Sequence, residues 1–378
     1  MGAVIIGCGK STPTLEIAND DLQALVDTND EWIRTRTGIE SRHIAIEETT
    51  NALAYASSCA ALGIENTKYP DINMLSTCES PIDPASIDLL VFPTITPDSI
   101  VPSAAAALKK NLGLEHAIAF DINAACTGFI YGLCVAESMM AASNIEAARA
   151  TCKRPGIKRA LVVCSERLSR LTDWNERGTC VLFGDGAGAA VLEWRDDEPG
   201  IIATYMQNDD DDANALTCPN NFTAPQPFTT SGIDADAADI DEAAVRTDEF
   251  FDLVDALPVS SDRQVIRMNG QAVFKFAGKA MANCVEKVVE EAGISLEDVK
   301  VIVPHQANER IIRFAAKRLD MDIESFQLSL ADTGNTSSSG VPMALADAYA
   351  EGKIEHGDKV VLVAFGGGLT SGAILFEA

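Results

Sequence analysis

One cysteine lies in a sequence context that could make it a nucleophile. Cys126 stands in the segment FDINAACTGF, where a predicted strand ends and a helix of small residues begins. The positive end of a helix dipole lowers the pKa of a thiol and favours the thiolate. Small neighbours also let a substrate or another backbone come close. The alternative is one more buried core cysteine, and position alone does not decide between the two.

Three further segments carry groups that could assist such a nucleophile. His305 follows a predicted buried strand in VPHQAN, at the edge where ligands of α/β proteins gather, although a lone histidine is more often a satisfied core residue. Asn335 lies in DTGNTSSSG, where a fixed amide could donate, although a capped turn is the simpler interpretation. Three glycines at 366–368 could let a backbone N–H point into a site.

Together these segments predict a single set of chemical groups. The set comprises a thiolate at Cys126, two neutral donors at His305 and Asn335, and the backbone amides of Cys126 and Gly367, which suit an oxyanion. It includes no acid or metal that would activate water. Transfer of an acyl group to sulfur, followed by stabilisation of a carbanion, is the chemistry that such a set favours.

Other motifs that resemble functional sites fail on inspection. Gly9-Lys10-Ser11 resembles the end of a phosphate-binding loop, but Val4 stands where the partner glycine should be. The segment GDGAG at 184–188 precedes a strand instead of opening a helix, so we interpret it as a tight, close-packed turn. The four histidines share no metal-ligand spacing. We therefore predict no metal and no cofactor.

Apolar runs rich in Val, Ile and Leu alternate with Ala-rich helical stretches, which is typical of an α/β protein. The first strand is predicted near Ala3–Ile6, and others at Asp88–Phe92, Ala117–Ile122, Arg159–Cys164, Gly188–Glu193, Lys300–Val303, Lys359–Ala364 and Gly372–Phe376. Helices are predicted at Ser103–Leu112, Thr127–Ala142, Asn269–Glu291, Ala307–Leu319 and Val341–Glu351, where apolar residues recur every three or four positions.

The order of these elements predicts an internal repeat. A strand ending in proline (Pro93, Pro304) precedes a helix, then a helix-start loop (Cys126, Asn335), and later a glycine-rich segment that leads into a strand. We therefore expect two related halves, 1–195 with the nucleophile and 196–378 with the histidine and asparagine. Both helix-start loops would then lie near a shared pseudo-twofold axis.

Composition limits the classes of protein that remain. With 378 residues, 47% hydrophobic and 22% charged, the chain is of the ordinary globular kind. The net charge of −27 disfavours nucleic acid and anionic membranes as partners. No run of 18 apolar residues is present, so no membrane span is expected, and single cysteines within apolar stretches indicate a reducing compartment.

Two stretches interrupt the α/β pattern. Residues 65–84 read as a surface insertion. An acidic insertion at about 208–262 contains thirteen acidic residues and one base, Arg246, between 209 and 255. Its four aspartates at 209–212 could bind a divalent cation, but a hydrated loop is favoured because charge blocks usually stay solvated.

Several motifs, in order, resemble β-ketoacyl-acyl-carrier-protein synthase III of the thiolase-like superfamily. They are DTNDEWIRTRTGIESRHI (27–44), AACTGF (124–129), FGDGAGAAVL (183–192), VPHQAN (303–308), GNTSSSGVP (334–342) and AFGGGLTSGA (364–373). The resemblance implies a five-layer αβαβα fold whose two pseudo-symmetric halves each contain a mixed five-stranded sheet. It implies a Cys126, His305 and Asn335 triad, with the Cys126 and Gly367 amides as the oxyanion hole.

The same resemblance implies the reaction and its partners. Cys126 would accept an acyl group from a short acyl-CoA such as acetyl-CoA, and malonyl-acyl-carrier protein would then be decarboxylated and condensed with it, starting type II fatty acid synthesis. Trp32 and Arg170 would sandwich the CoA adenine and Arg36 would meet its phosphates, although Trp32 could simply cap the core. Val101 would line the acyl pocket across a homodimer.

An acidic carrier protein needs a basic docking face on a chain this acidic. Lys275 and Lys279 are four residues apart on one predicted helix, and Arg310, Arg313 and Lys317 recur on another, so each helix can present a basic stripe. We expect Lys275 and Arg310 to belong to the docking patch.

Several alternatives remain at this point. A CoA-dependent type III polyketide synthase would share the triad, and a Cys–His–Asn hydrolase or an inactive scaffold belong to other classes. Thr127, Val101 and Gln271 depart from residues common in the family, so the primer chain length stays open. The compartment is expected to be a plastid stroma or, for a bacterial chain, the cytoplasm.

Overall fold

Two mixed β-sheets run through the part of the chain that the computed structural model describes, residues 1–145, 156–211, 214–219, 228–229, 232–233 and 264–378. The strands are β1 (Gly2–Thr12), β2 (Glu16–Ala18), β3 (Ser41–His43), β4 (Asn73–Ser76), β5 (Leu89–Pro93), β6 (Ile118–Ile122), β7 (Arg159–Arg167), β8 (Asp185–Arg195), β9 (Ile201–Asn208), β10 (Leu216–Thr217), β11 (Phe228–Thr229), β12 (Gly232–Ile233), β13 (Arg267–Met268), β14 (Val299–Pro304), β15 (Lys359–Gly366) and β16 (Thr370–Glu377).

The α-helices of the described residues lie between and outside these sheets. They are α1 (Asp30–Thr37), α2 (Thr50–Leu62), α3 (Ala104–Leu112), α4 (Gly128–Asn144), α5 (Arg177–Cys180), α6 (Gly270–Ala292), α7 (Glu309–Leu319), α8 (Leu330–Thr333) and α9 (Gly340–Ala350). The strands and helices named in the sequence analysis are all present, with ends that differ by a few residues.

The two sheets repeat one strand order. The first runs β4-β1-β8-β7-β5-β6 and the second β14-β15-β16-β9. Strand β5 is parallel to β7, which is antiparallel to β8, which is antiparallel to β1. In the second sheet β14, β15, β16 and β9 repeat these directions. This shared order supports the predicted division into halves at residues 195 and 196, which stays a prediction.

The predicted count of five strands in each sheet is wrong for both sheets. The first has a sixth strand because β4 pairs with the end of β1, so the predicted surface insertion at 65–84 contains a strand. The second has four described strands. Its fifth position is a single parallel bridge between Phe326 and Ile302, because a 3₁₀ turn at Ile323–Ser325 and helix α8 leave little extended chain.

The hydrophobic core is built in five layers. One cluster of buried side chains joins α4 and α9 to both sheets. A second packs α6 and α7 on the outer face of the second sheet, and a third packs α2 and α3 on the outer face of the first. The α/β class and the predicted αβαβα layering are therefore confirmed.

Packing in the interior explains two helices whose character the sequence pattern does not indicate correctly. The segment Ala125–Asn144 is, by length and composition, the one stretch of the described chain that could cross a membrane, but it is half buried and forms the core helix α4. Helix α2 was not predicted: all thirteen of its residues are buried, so it has no polar face.

Two glycine motifs have packing roles. A Cβ on Gly9 would lie 2.4 Å from the Ala61 nitrogen, so the resemblance to a phosphate loop reflects close approach of α2 to β1. The GDGAG segment is not the predicted turn, because β8 already begins at Asp185. A Cβ on Gly188 would lie 2.7 Å from the Met343 nitrogen, so the expected close packing is present.

Candidate active site

A cavity of about 740 Å³ lies at the carboxyl ends of parallel strands from both sheets. Its wall includes Cys126 after β6, His305 after β14, Asn335 after α8, and Gly366 and Gly367 at the end of β15. This is the edge at which α/β folds collect ligands. The structure thus brings together the four segments singled out from the sequence.

Cys126 lies in a single 3₁₀ turn, Ala125–Thr127, that precedes α4. Its Sγ atom is 3.5 Å from the Ser337 hydroxyl. Burial raises the pKa of the Cys126 thiol to about 11, with the Glu166 charge acting in the same direction and the Ser337 hydroxyl against it. The predicted lowering of this pKa is therefore wrong. Cys126 precedes α4 by two residues, and burial is the largest cause of the rise in its pKa.

His305 is buried and held by its surroundings. Its backbone N–H donates to the Val363 carbonyl at 2.8 Å, and its ring meets the Phe365 ring edge to face with centroids 5.2 Å apart. No described residue bonds to its Nδ1 atom. Burial lowers the pKa of His305 to about 3, so the imidazole is neutral at physiological pH. One ring nitrogen then carries a proton to donate while the other can accept.

Asn335 is fixed at both its backbone and its side chain. Its N–H donates to the Leu182 carbonyl at 2.8 Å, and its carbonyl accepts from Gly184 at 3.1 Å. The side-chain Oδ1 accepts the Ser337 N–H at 2.9 Å. Because Oδ1 is engaged, the amide is oriented, and Nδ2 is the group that Asn335 can offer as a donor.

The end of β15 presses against the backbone of Cys126. A Cβ on Gly366 would lie 2.8 Å from the Cys126 nitrogen, so only glycine allows this approach. A Cβ on the next residue, Gly367, would make only ordinary contacts, the nearest of them 3.6 Å from the Ala125 Cβ. Among the backbone hydrogen bonds that the described residues make outside helices and strands, none is donated by the N–H of Cys126 or of Gly367. Two such amides can receive an oxyanion.

Glu166 is a buried carboxylate beside the site that the sequence analysis missed. It lies on β7, is fully buried, and accepts hydrogen bonds from Ser338 and Thr96 hydroxyls at 2.7 Å and from the Ile95 N–H at 3.1 Å. Burial raises the pKa of Glu166 to about 7, and these hydrogen bonds oppose the rise. A glutamate two residues after the strongly apolar run 160–164, on the same strand, was the available signal.

Part of the acidic insertion also borders the cavity. Leu216 lies on β10, which pairs with β13, and its side chain comes within 3.7 Å of the Cβ position of Gly367. Cys218 and Pro219 line the same wall. The interpretation of this insertion as a hydrated loop is therefore wrong for residues 216–219, while Asp212 and most of the remainder lie outside the described residues.

Two of the residues assigned to CoA, Trp32 and Arg36, lie on α1 and are not among the residues that line the cavity. Arg36, one turn after Trp32 on α1, places its guanidinium carbon 4.6 Å from the Trp32 ring centroid. Arg177, which the sequence analysis did not name, lies 4.8 Å from the same ring. Arg170 is exposed and lines the cavity. In the free chain, then, guanidinium groups already stack on Trp32, and Arg170 is not among them.

The basic residues form one face beside the cavity mouth. Lys275 and Lys279 on α6 and Arg310 and Lys317 on α7 are exposed, and none pairs with an acidic residue of the described chain. The Arg310 guanidinium lies 5.9 Å from the Phe274 ring, which lines the cavity. Arg313, in contrast, is paired with Glu309.

Val101 is not among the residues that line the cavity of its own chain. It is 86% exposed and Ile100 is 68% exposed. Ile100 lines the cavity and Val101 does not, so the predicted place of Val101 in an acyl pocket depends on a second subunit.

No group of three His, Cys, Asp or Glu side chains within the described ranges could hold a metal ion. The described cysteines are all free.

The five layers and the Cys–His–Asn cavity define a condensing enzyme of the thiolase-like class. Profiles of the 3-oxoacyl-[acyl-carrier-protein] synthase III family match residues 120–210 and, for its C-terminal part, 289–378. A β-ketoacyl-[acyl-carrier-protein] synthase III from Clostridium acetobutylicum is 38% identical over 373 residues, which cover 99% of this chain and 98% of the relative.

Solved structures agree. A 3-oxoacyl-[acyl-carrier-protein] synthase III from Aquifex aeolicus is 34% identical, with full coverage of both chains and a TM-score of 0.77. The priming β-ketosynthase of the R1128 polyketide pathway is 30% identical, with a TM-score of 0.79 and coverage of 100% and 96%. The chain belongs to the 3-oxoacyl-[acyl-carrier-protein] synthase III family. The predicted family, acyltransferase class and initiating condensation are confirmed at that level.

Proposed function

We propose that this chain condenses a short acyl-CoA, such as acetyl-CoA, with malonyl-acyl-carrier protein, in two half-reactions at Cys126. The observation that carries the proposal is that Cys126, His305 and Asn335, from both halves of the chain, line one cavity beside two available backbone amides. No cofactor is needed, because acyl-CoA is a substrate.

In the first half-reaction Cys126 attacks the thioester carbonyl and CoA leaves. Because burial raises the pKa of Cys126 to about 11, its proton must be removed as the attack proceeds. This proton ends on the departing CoA thiolate, which leaves as the free thiol. The products are acyl-Cys126 and free CoA, so the order is ping-pong.

In the second half-reaction His305 and Asn335 donate hydrogen bonds to the malonyl thioester carbonyl. The neutral imidazole and the oriented Asn335 amide are both suited to donate. They stabilise the enolate that forms as CO₂ leaves, and its carbon attacks the acyl-Cys126 carbonyl. The N–H groups of Cys126 and Gly367 bind the resulting oxyanion, which collapses to 3-ketoacyl-carrier protein and the Cys126 thiolate. The thiolate then takes up a proton from solvent.

CoA is proposed to bind through Trp32, Arg36 and Arg170. The stacking of Arg36 and Arg177 on Trp32 supports a nucleotide site, because an adenine ring can replace one guanidinium on the indole face while the other retains its contact. Arg170 at the cavity mouth can then close on the adenine, and Arg36 can meet phosphate.

The carrier protein is proposed to dock on the basic face that includes Lys275 and Arg310. This face adjoins the cavity through Phe274 on α6 and Ile311 on α7, so a carrier held there can deliver its prosthetic arm inward. On a chain with net charge −27, such a face is where an acidic partner can approach. This feature favours a carrier-bound substrate over the malonyl-CoA of a type III polyketide synthase.

We further propose a homodimer in which the exposed Ile100 and Val101 contact the second subunit. Two adjacent large aliphatic side chains that are exposed together on one loop support this. The relative from Clostridium is bacterial, which supports the cytoplasm of a bacterium rather than a plastid.

Intact-mass analysis after incubation with a panel of acyl-CoAs tests the proposal. Wild-type protein should gain one acyl mass, and Cys126→Ala should gain none. Addition of malonyl-carrier protein should then discharge the acyl group and release CO₂. Discharge by malonyl-CoA at an equal rate would instead support the polyketide alternative, and turnover without acylation of Cys126 would refute the proposal.

A further inference from the structure

Glu166 connects the segments that carry the reacting groups, although it belongs to none of them. Through Oε2 it accepts from the Thr96 hydroxyl at 2.7 Å and the Thr94 hydroxyl at 3.2 Å, beside the cavity wall. Through Oε1 it accepts from the Ser338 hydroxyl at 2.7 Å. Both oxygens are thus engaged by donors from two loops.

Ser338 in turn is part of the loop that presents the amide donor. It lies in the 3₁₀ turn Ser337–Ser339, and a Cβ on Gly128 would lie 3.0 Å from the Ser338 Cβ. Ser338 is therefore enclosed between Glu166 and the first residue of α4. The preceding residue, Ser337, donates its N–H to Asn335 Oδ1 at 2.9 Å and has its hydroxyl 3.5 Å from Cys126 Sγ.

We propose that Glu166 is a positioning residue for the condensation half-reaction: by holding Ser338 it fixes the turn that orients the Asn335 amide and touches Cys126. The inference rests on the proposed function, since it assigns Asn335 to the second half-reaction. Glu166 does not touch substrate in this arrangement and acts through Ser338 and Ser337.

The buried charge of Glu166 has a second effect, which a purely mechanical support would lack. It raises the pKa of Cys126 and of Cys164, the titratable groups that face it in the described chain. The loops at 94–96 and 337–339 offer it hydroxyls and one amide instead. Removal of the charge should therefore make the Cys126 thiol easier to ionise, while loss of the hydrogen bond should loosen Asn335.

Glu166→Gln separates these effects because it removes the charge with little change in volume. We expect the kcat of condensation to fall about 10- to 100-fold with little change in KM for malonyl-carrier protein. Alkylation of Cys126 at pH 8 should become several-fold faster. The acid limb of the wild-type condensation profile, expected near pH 7 as Glu166 takes up a proton, should be absent from Glu166→Gln.

Two further variants make the test decisive. Ser338→Ala keeps the charge and removes one donor, so it should slow condensation without the gain in alkylation. Asp88→Asn is a matched control, because Asp88 accepts the N–H groups of Lys158 and Arg159 at the other end of β5, away from the cavity. It should leave kcat and alkylation unchanged.

The outcomes distinguish this inference from the proposed function. Wild type that is never acylated at Cys126 would overturn the proposed function itself. Normal wild-type loading with Glu166→Gln condensation within twofold of wild type would overturn only the role of Glu166. A parallel fall in loading, alkylation and melting temperature would also overturn it, since that pattern indicates general disruption.

Discussion

Gly366→Ala perturbs the contact between β15 and the nucleophile. The displacement of the two backbones that it requires can be worked out from the structure. The new Cβ would lie 2.8 Å from the Cys126 nitrogen and 3.0 Å from its Cβ, whereas ordinary contacts are 3.4–4 Å. The two backbones must therefore move apart by roughly half an ångström. An oxyanion donor acts at 2.7–3.1 Å, and removal of one donor lowers kcat about 10²- to 10³-fold.

A displaced donor should cost less than a missing one. We expect about a 10- to 100-fold loss of kcat, or about 1.4–2.7 kcal/mol of transition-state stabilisation. Attack on a thioester carbonyl forms an oxyanion in each half-reaction, and the Cys126 amide would bind both. Acyl loading, followed by stopped-flow mass analysis, and condensation, followed by CO₂ release, should therefore slow together. Retention of either rate within twofold of wild type, in a folded protein, would refute the reasoning.

Gly113→Ala is the matched control for this prediction. Gly113 ends α3 at φ +70° and has no atom within 4 Å of a new Cβ, so alanine adds backbone strain and no collision. We expect about 1 kcal/mol of lost stability in denaturant unfolding. Its kcat should match wild type, which separates general destabilisation from damage at the site.

Three other predictions concern the hydrophobic core, the docking face and the thiol of Cys126. Phe92→Ala should lower the free energy of unfolding by about 3–5 kcal/mol in denaturant titrations, because the side chain is fully buried, and a smaller loss would mean that the core closes over the cavity. Combined Lys275→Glu and Arg310→Glu should raise KM for malonyl-carrier protein about tenfold and spare acyl-CoA loading; equal loss of both steps would contradict the docking face. Because burial raises the pKa of Cys126 to about 11, its alkylation rate should rise about tenfold per pH unit from pH 7 to 9, and a plateau below pH 8 would reveal a preformed thiolate.

Local periodicity was sufficient to predict elements with one polar face. Helix α6 was expected at Asn269–Glu291 and is found at Gly270–Ala292, because its buried residues recur on one side. Helix α2 lacks this signal, since strands and helices cover it on all sides. Nor could the sequence show that Phe326 makes a single bridge instead of belonging to a full strand. The local pattern does not reveal that the 3₁₀ turn before Phe326 and helix α8 after it leave too few extended residues for a strand.

The residues of the candidate site also divide into those that a local sequence signal identifies and those that it does not. Cys126, His305 and Asn335 stand in motifs at predicted strand and helix ends, so type and position together were informative. Glu166 is polar in a strand that otherwise reads as core, and its partners are 70 to 172 residues away in sequence. Leu216 lies in a stretch dominated by acidic charge. Only long-range packing places either residue beside the nucleophile.

Backbone strain explains why such distant residues matter at this site. Five described non-glycine residues have positive φ, and three of them flank the reacting groups: Ala125 at +44° precedes Cys126, Ser337 at +52° follows Asn335 by two residues, and Leu369 at +44° follows Gly367 by two. A residue in this conformation costs about 1 kcal/mol or more and persists only when its surroundings impose it. The turn at Ala125 is held by Gly366 of β15, which lies against the Cys126 backbone, and by the Thr127 hydroxyl, which donates to the Thr370 hydroxyl at 3.0 Å. The turn at Ser337 depends on Ser338 and Glu166. The geometry of the nucleophile and the amide donor is therefore maintained by tertiary contacts rather than by local preference. A change that releases those contacts should relax the catalytic geometry long before it unfolds the protein.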